Sequence, residues 1–198
     1  MNMSIELLLA IAAFGVVSSI TPGPNNFMLM TSGANFGFKR TLSHWLGVDI
    51  GFSVMIVLVG LGVMQLFDLY PVSYTILKWV SAAYMLYLAY AIATSTDGID
   101  TNKSTAKPMT FMQAALFQWV NPKAWTMALS AITIYAPDQS LWAVVIVAAV
   151  FAVVNLPCTA TWVVLGLKLQ SWLNTAKRLK VFNYVMALLL VLSLAPAL

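Results

Sequence analysis

Six strongly apolar stretches, separated by polar or charged turns, run along the chain. They cover 5–33, 41–66, 73–94, 110–135, 141–167 and 179–197. A crossing needs about 20 mostly apolar residues, so each stretch predicts a membrane-spanning α-helix. The turns are Ala34 to Arg40, Asp68 to Pro71, the polar stretch 95–109, Ala136 to Gln139, and 168–178. Only 95–109 is long and polar enough to read as a linker. It divides a single transmembrane domain, 1–198, into a first repeat (1–95), a linker (96–109) and a second repeat (110–198). The predicted fold class is an all-α membrane protein with six transmembrane helices.

Three crossings per half make the second half enter the membrane with opposite polarity to the first. An offset of 100 residues aligns Pro22 with Pro122, and segment 41–66 with 141–167. The pattern is that of a 3+3 inverted repeat, read from hydropathy and proline register. Helices 1 and 4 are expected to break at their proline motifs. The first is Thr21-Pro22-Gly23-Pro24-Asn25-Asn26; the second is Asn121-Pro122-Lys123-Ala124. A proline lacks an N–H and crowds the carbonyl four residues back. The carbonyls of Ser18, Ile20 and Gln118 should therefore lose helical partners. The first helix should stop near Ile20 and restart at or just after Thr21, with both prolines in the new first turn. Asn121 is placed as an N-cap. Two half-helix N-termini would result, suited to a carboxylate. The freed carbonyls beside them suit an ammonium or a cation, so the pair suits a small zwitterion.

Composition excludes a water-soluble domain. Of 198 residues, 61% are hydrophobic and 8% charged, against about 25% charged in a soluble domain. The net charge of +4 reflects topology rather than nucleic-acid binding. Lys39, Arg40, Lys103, Lys107, Lys168, Lys177 and Arg178 all fall in odd-numbered turns, whereas the even ones carry Asp68 and Asp138. Positive residues favour the cytoplasmic side. Loops 34–40, 95–109 and 168–178 are thus expected inside, and both termini outside. Met1 to Glu6 lacks a basic leader, so the first apolar segment is expected as a retained helix.

Two ionisable groups lie well inside a span: Asp49, roughly 12 Å in from the cytoplasmic end, and Lys123, within the second break. A charge at mid-bilayer costs about 2.5–3.5 kcal/mol on insertion scales and marks a functional candidate. Either Asp49 and Lys123 pair with each other, or Asp49 meets a substrate ammonium or coupling proton while Lys123 meets a carboxylate. Trp45, Asp49, Phe52 and Ser53 share a helical face, as a pocket wall or a packing ridge. Gly47 and Gly51 are spaced for close helix contact. His44 reads as a solvated interface histidine or a proton shuttle. Asn155-Leu156-Pro157 would interrupt helix five as a third break. Cys158 reads as a small packing residue. No nucleophile–base set, metal cluster, phosphate loop or ATP motif is present in the sequence, so no enzyme and no cofactor is indicated.

These motifs resemble the lysine-exporter (LysE/RhtB) family of bacterial amino-acid exporters. The resemblance covers the whole chain, and Gly47-Val48-Asp49 fits it as well. It implies export of an amino acid from the cytoplasm across the inner membrane, coupled to protons. The form of the first motif resembles most the members that export neutral amino acids, including the cysteine/O-acetylserine type. It also implies that Thr21, Pro22, Gly23, Pro24, Asn25, Asn26, Asp49, Asn121, Pro122 and Lys123 line the pathway, and the third break adds Asn155 as a candidate from its position alone. A channel-like facilitator, an exporter of another solute and a non-transporting accessory protein are the alternatives. The expected partners are a small amino acid, protons and membrane lipid; small-residue spacings also permit a homodimer.

Overall fold

The computed structural model describes residues 4–95, 107–138 and 140–194. Most of the expected linker 96–109, Lys103 included, lies outside the described residues. Within them the chain is all-helical. The helices are α1 (Ile5–Ile20), α2 (Pro24–Gly60), α3 (Val63–Leu69), α4 (Val72–Thr94), α5 (Phe111–Phe117), α6 (Pro122–Tyr135), α7 (Leu141–Gln170) and α8 (Ala176–Leu192). A 3₁₀ turn, Gln118–Val120, joins α5 to α6. Three described helices, α2, α4 and α7, are long and apolar enough to cross a membrane, and α1 is a shorter apolar helix.

The prolines set the helix boundaries. Pro22 holds Thr21 in an extended conformation, φ −61° and ψ 136°. Pro24 does the same to Gly23, at φ −176° and ψ 178°. The chain therefore cannot resume a helix at Thr21. It resumes at Pro24, so only that proline occupies the first turn, and Pro22 stays in the gap. Asn121, at φ −95° and ψ 109°, caps α6 by accepting the Lys123 backbone N–H at 3.1 Å. Upstream, Thr110 and Gln113 form a reciprocal capping box on α5.

The turn expected at 34–40 is replaced by a kink at one residue. α2 is helical on both sides of Gly37, which sits at φ 76° and ψ 172°. The positive φ itself favours glycine, not a lack of space: a Cβ there would meet nothing within 4 Å and so would clash with no neighbour. Hydroxyls bind the bend together: Thr41 Oγ1 donates to the Gly37 carbonyl at 2.8 Å, and lies 3.0 Å from Ser32 Oγ. The second limb ends at Gly60 rather than residue 66, because Gly62, at φ 95°, turns the chain into α3.

A further expectation fails at Asn155-Leu156-Pro157. α7 runs unbroken from Leu141 to Gln170 with Pro157 inside it. Neighbouring side chains serve the backbone there. Thr159 Oγ1 donates to the Asn155 carbonyl at 2.8 Å, and Trp45 Nε1 donates to the Leu156 carbonyl at 3.2 Å. Both carbonyls lie beside the proline, whereas the one its missing N–H releases is that of Val153, one turn back.

α2 and α7 form the centre of the bundle. α1 packs on α7, α5 packs on α2, and α4 packs on α8. Small residues set the separations. A Cβ on Gly33 would strike the Val163 carbonyl, and one on Gly166 would strike the Met30 carbonyl. Gly47 and Gly51 meet α5 in the same way, at Phe111 and Ala115. Phe52, Met55, Ile56, Val144, Val147 and Phe151 fill the main core. A second cluster joins Met28, Met85, Phe117 and Leu190.

Gly166→Leu should therefore disrupt the bundle far more than Gly37→Ala, which strains one backbone position only. Overpacking costs typically about 1–3 kcal/mol, and here backbone atoms must move. Tryptophan-fluorescence melting and size-exclusion profiles in detergent would show a large loss for Gly166→Leu; an unchanged melt would contradict the crossing.

Candidate functional site

The gap between α1 and α2 faces the N-terminus of α6. There the chain forms a cleft enclosing about 340 Å³ of space not filled by atoms. Ser18 and Ser19 line it from α1. Gly23, Asn25, Asn26 and Phe52 come from the gap and α2. Asn121, Lys123, Ala124 and Met127 come from the second break, and Asn155 and Thr159 from α7.

Amide side chains satisfy the interrupted backbone. Asn26 is 3% exposed and donates from Nδ2 to the carbonyls of Ser19, at 2.9 Å, and Thr21, at 2.8 Å. The sequence argument pointed to the Ser18 and Ile20 carbonyls instead. Because the helix resumes only at Pro24, the Ser19 and Thr21 carbonyls are the ones Asn26 meets. Lys123 Nζ donates to the Thr21 carbonyl and, at 3.4 Å, to that of Pro22. One ammonium thus bridges the second broken helix to the first. Its stem passes so close to Gly23 that a Cβ there would lie 2.6 Å from Lys123 Cδ.

Asn25 and Gln118 form a reciprocal amide pair. Asn25 Nδ2 donates to Gln118 Oε1 at 2.8 Å, and Gln118 Nε2 donates back to Asn25 Oδ1 at 3.2 Å. Gln118 is fully buried and also donates to the Ala114 carbonyl. Across the second break, Trp125 Nε1 donates to the Trp119 carbonyl at 2.9 Å.

Asp49 stands one residue back from the cleft. It is 4% exposed, and its Oδ1 accepts from Asn155 Nδ2 at 2.8 Å. Among the described residues Asp49 and Lys123 do not pair with each other. Trp45 Nε1 donates to Thr159 Oγ1 at 2.9 Å, so the Trp45 and Asp49 turns of α2 clamp the Asn155 to Thr159 turn of α7. Pro24 and Pro122 serve as first residues of α2 and α6. Pro122 lines a separate apolar cavity with Phe67, Trp125 and Leu129.

The structure thus brings Gly23, Asn25, Asn26, Asn121, Lys123 and Asn155 to one cleft. Thr21 and Pro22 contribute carbonyls at its edge, and Asp49 reaches it through Asn155. Gln118, Ser19 and Thr159 were missed. The signal for Gln118 was present: a lone amide one turn before a proline in an apolar segment. Ser19 Oγ is buried with no hydrogen-bond partner among the described residues. The arrangement offers one ammonium, several carbonyl acceptors and several amides, a set that can hold a small polar molecule by both ends.

The profile of the family described as LysE type translocator matches residues 16–195. A cysteine/O-acetylserine efflux protein of Escherichia coli (strain K12) is 30% identical over 194 residues, 96% of each chain. The protein of the same description from Shigella sonnei (strain Ss046) is equally similar, again 30% over 194 residues. No solved structure matches the chain significantly.

Asn155→Leu should leave the Asp49 carboxylate buried without its donor. A loss on the order of 1–3 kcal/mol or more is expected for such an orphaned group. The double variant Asp49→Leu/Asn155→Leu should recover much of it. Thermal melts of the single and double variants form the cycle; strictly additive losses would mean that the two residues do not interact.

Proposed function

The chain belongs to the LysE-type translocator family, and on that premise we propose that it exports small neutral amino acids, or close derivatives, in exchange for protons. Cysteine and O-acetylserine are the first candidates, given the relatives' descriptions. The observation that carries the reading is the bridge from Lys123 to the carbonyls of the first gap. A substrate ammonium can take over those carbonyls, and the displaced Lys123 then meets the substrate carboxylate. Binding would replace one ammonium by another and add an ion pair, which selects a zwitterion over a simple cation. Asn25, Asn26 and Asn121 orient it by hydrogen bonds.

Asp49 is the group we assign to the proton. It reaches the cleft through Asn155, so a change in its charge alters a residue that lines the site. An ionisable group within a span is a usual element of a proton relay.

The fold is read as six crossings in a 3+3 inverted repeat within the inner membrane. Two features support this. α2, at 37 residues, would be roughly 55 Å long if straight, so its limbs on either side of Gly37 are assigned to separate crossings. The packing of α1 on α7 is matched by that of α5 on α2, as a two-fold relation between halves requires. The charge pattern supports both termini outside, with lipid against exposed apolar side chains such as Trp79 and Val153.

Counterflow in proteoliposomes tests the proposal. Labelled cysteine, O-acetylserine and a panel of other neutral amino acids would be compared with and without a pH gradient. Saturable exchange accelerated by the gradient is expected, with the acceleration lost in Asp49→Asn. Exchange indifferent to the gradient in both proteins would point to a facilitator, and no exchange of any amino acid would refute the substrate assignment.

A further inference from the structure

A second polar cavity lies beside the kink of α2. It is an open recess of about 1150 Å³, adjoining solvent included, between both limbs of α2, the end of α4 and the segment at Lys107 to Met109. The charge pattern assigns this end of the bundle to the cytoplasm, since Lys39 and Arg40 adjoin the kink. His44 lines the cavity at 2% exposure, and among the described residues neither ring nitrogen has a hydrogen-bond partner. The expected solvated interface histidine is thus a buried one, because the kink folds the first limb of α2 against the start of the second. Ser95 Oγ, also on the lining, is buried and unpartnered as well. Buried polar groups left without partners are few and call for an explanation.

The remaining lining suits a small zwitterion. Thr31, Ser32 and Asn35 also lie on the lining, with their side chains already bonded to the Phe27 carbonyl, Thr41 and Asn183, and Lys107 adds a positive charge. Among the described residues no carboxylate lines the cavity. Tyr87 and Tyr90 add aromatic rings, whose faces attract an ammonium.

Its position relative to the cleft is equally informative. Asn25, Met28, Ser32 and Asn35 are spaced by three, four and three residues, so they share one face of α2. Asn25 lines the cleft, whereas Met28, Ser32 and Asn35 line the second cavity. Asn25 and Ser32 are roughly 11 Å apart along the helix axis. Between the two spaces stand the Asn25–Gln118 amide pair and the apolar contact of Met28 with the Phe117 cluster.

We propose that the cavity around His44 is a cytoplasmic loading site for the amino-acid substrate, in series with the central cleft and closed off from it by the Asn25–Gln118 pair. The proposal rests on the exporter reading above. His44 and Ser95 hold the zwitterion by their free nitrogens and hydroxyl, and Lys107 attracts its carboxylate. Opening the amide pair then passes it along the Asn25 face of α2.

The test uses the full chain in lipid nanodiscs, with O-acetyl-L-serine as the probe. Ala91, an exposed residue on the cavity lining, is changed to cysteine in a Cys158→Ala background and labelled with a water-soluble maleimide. O-acetyl-L-serine should slow labelling several-fold. His44→Phe should abolish that protection, and Ser95→Ala should weaken it, supplying a second variant should His44→Phe fold poorly. Lys123→Met, which alters only the central cleft, should leave it in place. Protection that survives both cavity variants, or that disappears in Lys123→Met alone, would overturn the loading site. Counterflow of O-acetyl-L-serine by the wild type separates this from the exporter reading. Transport without protection defeats the loading site alone, whereas absence of transport removes both.

Discussion

Hydrogen-bond satisfaction where two helices stop and restart is the constraint on which the rest of this structure depends. A backbone carbonyl left bare in hydrocarbon costs several kcal/mol, and the gap at Thr21 to Gly23 creates more than one. Asn26 and Lys123 answer it from opposite sides, one from the same half of the chain and one from the other. The second break is served by the Asn121 cap and by Trp125. The cleft is therefore a by-product of repair: groups that compensate the breaks also line it.

Close helix approach makes this possible. The crossing of Gly33 and Gly166 brings α2 and α7 near enough for short side chains to span the interface. Asp49 can then reach Asn155, and Trp45 can reach Thr159. Larger residues at the glycines would separate the helices, and these short bonds would lengthen out of range.

The all-helical class was legible because hydropathy acts locally; proline acts locally too, but α2 resumes at Pro24 and not near Thr21 as expected. A ring without an N–H changes the two residues beside it whatever the tertiary fold. The convergence of Lys123 on the first gap was legible only as a register between two prolines. Other features depended on partners distant in sequence. α7 continues through Pro157, and Thr159 and Trp45 bond the Asn155 and Leu156 carbonyls beside it. The Asn25–Gln118 pair and the buried Asn35–Asn183 pair join residues that no local pattern links. The burial of His44 follows from a kink at Gly37, which the sequence presented as one glycine within a turn.

The packing of α1 on α7 bears on how the protein is made. α1 is complete at Ile20, but its partner begins at Leu141. At roughly 5–20 residues per second, the intervening chain takes on the order of ten seconds to synthesise. During that interval the serine-bearing end of α1 has no neighbour in its own half that matches α7. The nascent helix must wait at the insertion machinery or in lipid with Ser18 and Ser19 uncovered. Biogenesis of this small bundle is thus governed by its latest-arriving long helix, and neither half is a finished folding unit alone.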